Sequence, residues 1–179
     1  MNEPPSWRPE RLFTSVSRAV VRLRRILVPV DFRATTVDAL RYAAAFAREY
    51  KATIILLHVV VPDGSHVRCN IPKERLIDEL REAGESQIRH LVDVIWGDEI
   101  AVDVVVAAGK PDIQIVNGAR ETKADMIIMA SYRTVGLWGF FRRSTLARVV
   151  RGAPCPVLVV PAFEHGFVMN DTIQGSLDR

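Results

Sequence analysis

Apolar residues in this chain alternate between two spacings, strand-like and helix-like, from Ile26 to Val160. Ile26–Val30 is a short run rich in β-branched residues, and Thr53–Val61 is apolar almost throughout, as in a parallel strand covered on both faces. Ile100–Ala107, Met126–Ala130 and Val157–Val160 have the same strand composition. Between these runs the spacing becomes helical. After Asp31, Thr35 and Thr36 are candidate caps, and Val37, Leu40, Tyr42, Ala44, Phe46 and Ala47 form a buried side until Tyr50 and Lys51 end the pattern. From Pro72 to about Ile95 the positions Leu76, Ile77, Leu80, Ile88, Leu91, Val92 and Ile95 predict the longest helix. Pro111 opens a helix through Ile115, Val116 and Ala119, at a first-turn position where proline is tolerated. A short helix runs from Ser144 to Arg151. Five strands alternating with four helices predict an α/β fold with a single open, mostly parallel sheet and helices on both faces. Ligands of such sheets sit outside the carboxyl ends of the strands, so the loop that leaves the strand at Ala130 and feeds the helix at Ser144 is where function is sought.

The length of 179 residues suits one domain with a sizeable core. Hydrophobic residues at 49% and charged residues at 25% place the chain among ordinary globular proteins. Its longest apolar run, Thr53–Val61, is far short of the roughly 20 residues that span a bilayer. The two cysteines, Cys69 and Cys155, are remote and lack metal spacing, which argues against a disulfide framework or a zinc site and makes a reducing cytoplasm the default. The net charge of +3 is unevenly spread. Up to Arg25 there are six arginines and two glutamates, and from Arg133 to Arg151 five arginines and no acid. Any anion is expected to meet the protein at those two places. Three regions follow: a basic N-terminal extension over 1–24, a core domain over 25–161 and a polar tail over 162–179.

The runs ILVPVDFRATTVDALRYAAAFA, LLHVV, the G-K-P before a helix, ADMIIMAS and RRSTLARVVRGAPCPVLVVP together resemble the universal stress protein family, from Arg25 to about Pro161. The resemblance implies an adenine-nucleotide-binding-like, Rossmann-like α/β fold, usually paired as a homodimer through the last strand. Some members of the family bind ATP and others do not. In ATP-binding members the loop after the fourth strand resembles G-x2-G-x9-G-[ST], whose backbone amides wrap the phosphates. Aligned on APCPVLVV, this chain has Ala130, Arg133 and Arg143 at the three glycine positions and keeps Ser144. Sliding the motif to Gly136 and Gly139 puts Val149 at the third position and breaks the match to the helix that follows. Backbone that must approach phosphate closely and take positive φ needs glycine. ATP binding of the family's usual kind is therefore expected to be weak or absent, with no cofactor required.

Other residues keep two readings. Arg133, Arg142, Arg143 and Ser144 could bind phosphate through side chains and a helix N-terminus, giving an adenine-nucleotide switch or slow ATPase, or they form a solvated loop or a charged dimer edge. Trp138, Phe140 and Phe141 either stack on a base or cover core or interface. Asp31 matches the family's acidic residue near the ligand, and equally suits a cap on the next helix. Val59 and Val60 match the adenine-lining region, although sheet burial alone accounts for them. His58 is read as a structural strand-end residue, Gly109 as a turn glycine that could also admit a ribose, and Cys155 as a small buried hydrophobe. No nucleophile elbow, paired carboxylates or Walker lysine loop suggests catalysis, and no nucleic-acid partner is expected. On a helix, Arg11, Arg18, Arg22 and Arg25 would oppose Leu12, Phe13, Val16, Val20 and Leu23. Such a segment could pack on its own dimer, remain unfolded, or meet a protein partner or an anionic membrane surface.

Overall fold

A computed structural model describes residues 20–61, 72–131 and 144–161. Nine elements follow in order: β1 (Arg25–Val30), α1 (Ala34–Tyr50), β2 (Thr53–Val60), α2 (Lys73–Ile95), β3 (Val102–Ala108), α3 (Pro111–Glu121), β4 (Met126–Ser131), α4 (Thr145–Gly152) and β5 (Val157–Pro161). The strands lie in the order β3-β2-β1-β4-β5, and every neighbouring pair is parallel. The chain builds outward from β1 to β3, then returns through α3 to lay β4 on the other side of β1. The order therefore reverses between β1 and β4, which is the place such a sheet offers a ligand.

Strand alternation feeds two cores. Ile26, Val28, Val30, Ile54, Leu56, Ile128 and Val160 point to one face, where α1 and α2 cover them with Ala39, Leu40, Tyr42, Ala43, Ala47 and Ile88. Leu27, Ile55, Leu57, Ile127 and Met129 point to the other, under Ile115, Val116 and Ala119 of α3 and Val149 of α4. A side chain on Gly118 of α3 would put its Cβ 3.1 Å from Leu57 Cδ2, so this glycine lets the helix lie close on the strands.

The structure moves several expected boundaries. α1 begins at Ala34 with Arg33 as its N-cap residue, so Thr35 and Thr36 lie in the first turn rather than capping it. Val37 is exposed, because the buried side of α1 runs through Ala39, Leu40, Tyr42, Ala43, Ala44 and Ala47. Lys51 closes the helix in the left-handed conformation. On α2 the expected core residue Ile95 is exposed and the following Trp96 is buried instead, its amide bonding the Val92 carbonyl as the helix ends. Ile100 is buried ahead of β3, which starts only at Val102.

The N-terminal helix mostly falls outside the described residues, but its expected end is corrected. Residues 20–24 are not helical, and Arg25 opens β1. Sheet formation draws this stretch out: Asp125 Oδ2 accepts the amides of Arg24 and Arg25 at 2.8 and 2.9 Å, while Arg25 pairs with Thr53. Val20 and Val21 are exposed, and Leu23 is buried in the α1–α2 core.

Candidate functional site

The site is built where β1 and β4 part. Their ladder consists of Ile26 with Met126 and Leu27 with Ile127, whereas the β4–β5 ladder runs on to Ser131 and Pro161. The last residues of β1 and β4 are thus not paired with each other, and the loops leaving them flank the resulting crevice. Asp31 follows β1, Ala130 is the penultimate residue of β4, Val59 and Val60 end β2, Gly109 follows β3, and Ser144 precedes α4. The fold gathers all of these at the carboxyl rim of the sheet. Arg133, Arg142, Arg143, Trp138, Phe140, Phe141, Gly136 and Gly139 lie outside the described residues.

Asp31 serves the helix that follows it. Its Oδ1 accepts the Arg33 amide at 3.1 Å and the Thr36 hydroxyl at 2.7 Å, and Arg33 Nε stands 3.7 Å from Oδ2. A carboxylate here satisfies donors at the start of α1 and complements the positive end of its dipole. Between Asp31 and Arg33, Phe32 takes φ 59°, a left-handed conformation that L residues avoid, which turns the chain back so that the carboxylate meets the helix. The Phe32 ring lies 4.8 Å, centroid to centroid, from that of His58. His58 Nδ1 is 2.8 Å from the Val30 carbonyl oxygen. This is the structural strand-end role.

On β2, Val59 packs toward the α3–α4 core and Val60 is buried. The Val60 carbonyl accepts the Gly109 amide at 2.9 Å, tying the ends of β2 and β3 together. Gly109 has φ 137°, and a Cβ there would stand 3.1 Å from Gln114 Nε2, so the turn alone demands glycine. Ala130 is half-buried in strand conformation, paired with Val160 and packed against the α1–α2 core. Ser144 is the N-cap of α4, its Oγ accepting the Ala147 amide at 3.2 Å.

Arg148 corrects the picture of an uncompensated arginine run. Its Nη1 lies 3.1 Å from Asp112 Oδ2, which joins α4 to the first turn of α3. Nothing in the sequence spacing marked that pair, because its members sit 36 positions apart. The Phe32 turn was equally silent, since a phenylalanine gives no signal of positive φ. Cys155 packs against the α3–α4 core, and burial, with the Asp125 carboxylate, pushes its thiol above the usual range. Among the described residues no group of three or more His, Cys, Asp or Glu is placed to hold a metal ion. Among the described residues, one surface hollow lies along Glu82, Arg89 and Asp93 of α2 and another around Arg25, Asp103 and Thr122, both away from the rim.

Residues 22–161 match the model of the universal stress protein family. The chain belongs to the universal stress protein family. It is 32% identical over 143 residues to universal stress protein MJ0531 of Methanocaldococcus jannaschii, a match covering 76% of this chain and 81% of that one. It is 31% identical over 160 residues to universal stress protein Sll1654 of Synechocystis, covering 87% and 97%. The solved structure of MJ0577 from Methanocaldococcus jannaschii aligns with a TM-score of 0.65 at 27% identity, over 81% of this chain and all of that one. The universal stress protein fold thus accounts for the five-stranded parallel sheet and for the position of its rim. Among the described residues no helix is long and apolar enough to cross a membrane.

Proposed function

We propose that this universal stress protein is a non-enzymatic regulatory or protective binding module of the cytoplasm, working as a homodimer, in which the family's ATP cradle has degenerated. One observation carries the reading: Ala130, Arg133 and Arg143 stand where ATP-binding members have glycine, inside an otherwise continuous domain match. The rim supports it, since Asp31 is engaged in holding the start of α1 and Ser144 in capping α4. Isothermal titration with magnesium-ATP is expected to reveal no sub-micromolar site, and mass spectrometry of the denatured purified protein no co-purified AMP or ATP. A tight site or a retained nucleotide would instead favour the switch that uses Arg133, Arg142, Arg143 and Ser144.

The homodimer is assigned to β5, an edge strand with a ladder to β4 alone among the described residues. Its Val159 is 38% exposed, an apolar side chain on an edge strand that a second copy could cover. Val159→Arg is expected to shift sedimentation from dimer to monomer without lowering helix content. A dimer unchanged by this variant would move the interface elsewhere.

A further inference from the structure

We propose that His58 is the positioning residue of the rim: one imidazole fixes the β1–α1 turn and joins it to α2. His58 lies opposite Val30 in the β1–β2 ladder and shares its face with Ile54 and Leu56, so the ring rises on the α1–α2 side. Three parts of the ring are used. Nδ1 stands 2.8 Å from the Val30 carbonyl oxygen, which can only accept, so this nitrogen carries the hydrogen. The ring packs at 4.8 Å and 55° against Phe32, within the range of favourable tilted aromatic pairs. The Cδ2 edge fills the side-chain space of Gly84 on α2, where a Cβ would come within 2.9 Å of it.

These contacts bracket Phe32, the one rim residue with positive φ other than glycine among the described residues. Val30 is held by its carbonyl and Phe32 by its ring, with φ at 59°. Asp31 between them is thereby aimed at the Arg33 amide and the Thr36 hydroxyl. A glycine inside a helix weakens that helix, so the buried Gly84 needs a reason, and the imidazole supplies one. Whatever the rim binds, His58 makes the shape of its β1 side depend on the seating of α2.

Amide exchange by NMR separates this role from plain packing. The reporter is the Arg33 amide, read relative to the core amide of Leu56. Gly84→Ala, which displaces the ring from a distance, and His58→Gln, which moves the donor to the Nε2 position, are both expected to speed Arg33 exchange by at least about tenfold. His58→Asn keeps a donor near the Nδ1 position and is expected to restore Arg33 exchange to within roughly threefold of the wild type. In the unmodified protein the neutral ring should show nitrogen shifts of the Nδ1–H tautomer, a result independent of whether any variant folds. An Nε2–H tautomer would overturn the proposal. So would variants that lose global stability while Arg33 keeps its protection relative to Leu56.

Discussion

Replacing Arg133 and Arg143 with glycine is expected to strengthen magnesium-ATP binding by about 30- to 1000-fold, measured by isothermal titration. An L residue forced into the left-handed region costs roughly 1 to 2 kcal/mol, so two such positions cost about 2 to 4 kcal/mol, and each 1.4 kcal/mol is a factor of ten. The first motif position behaves differently. Ala130 sits in β4, paired with Val160, and is not among the described residues with positive φ. Its methyl group can obstruct a ligand only by bulk, so adding Ala130→Gly to the double variant is expected to contribute less than either arginine change. Thermal melts of the variants serve as the folding control. If the double variant binds ATP no better, the arginine loop has a different path, and degeneration of the cradle is not simply a matter of side chains at the glycine positions.

Leu27→Ala is expected to cost about 2 to 5 kcal/mol in chemical denaturation, the range for a leucine removed from a packed core. Leu27 is fully buried on the central strand, next to Ile55 on one side and Ile127 on the other. It lies beneath α3, its Cδ1 3.6 Å from where a Cβ on Gly118 would stand, so the helix cannot close the space without moving off Leu57 as well. For a chain of this size the loss corresponds to a melting point lower by roughly 4 to 20 °C. Val94→Ala on α2 is the control: its side chain is 70% exposed, and a change within about 0.5 kcal/mol is expected. A Leu27 variant as stable as the Val94 variant would show that the α3–α4 face is not packed as described.

How far each feature could be read ahead depended on the range of the interaction behind it. The strands beginning at Arg25, Thr53 and Met126 were legible because each is a short apolar run bounded by polar or turn residues. α3 announced itself through Pro111, and the start of α4 through Ser144, since caps act within one turn. The differences lie where the path of the backbone or a tertiary contact intervened. Asp31 replaced Thr35 and Thr36 at the head of α1 because Phe32 turns the carboxylate back, and Trp96 displaced Ile95 because the end of α2 packs on the α1–α2 core. Arg148 looked like loose positive charge until α3 and α4 came together and gave it Asp112.

From the order of its residues alone, this protein is committed to alternating strands and helices and a sheet covered on both faces, and the resemblance read from that order sets Arg133 and Arg143 at positions where glycine is expected. Those properties follow from spacing along the chain and from side-chain volume, which need no distant neighbour. Folding in three dimensions decided the rest: the strand order that parts β1 from β4, the left-handed turn at Phe32, and the imidazole of His58 wedged between that turn and Gly84. The strand order and the packing of His58 on Phe32 and Gly84 join groups tens of residues apart, and such contacts exist only once the intervening elements have packed.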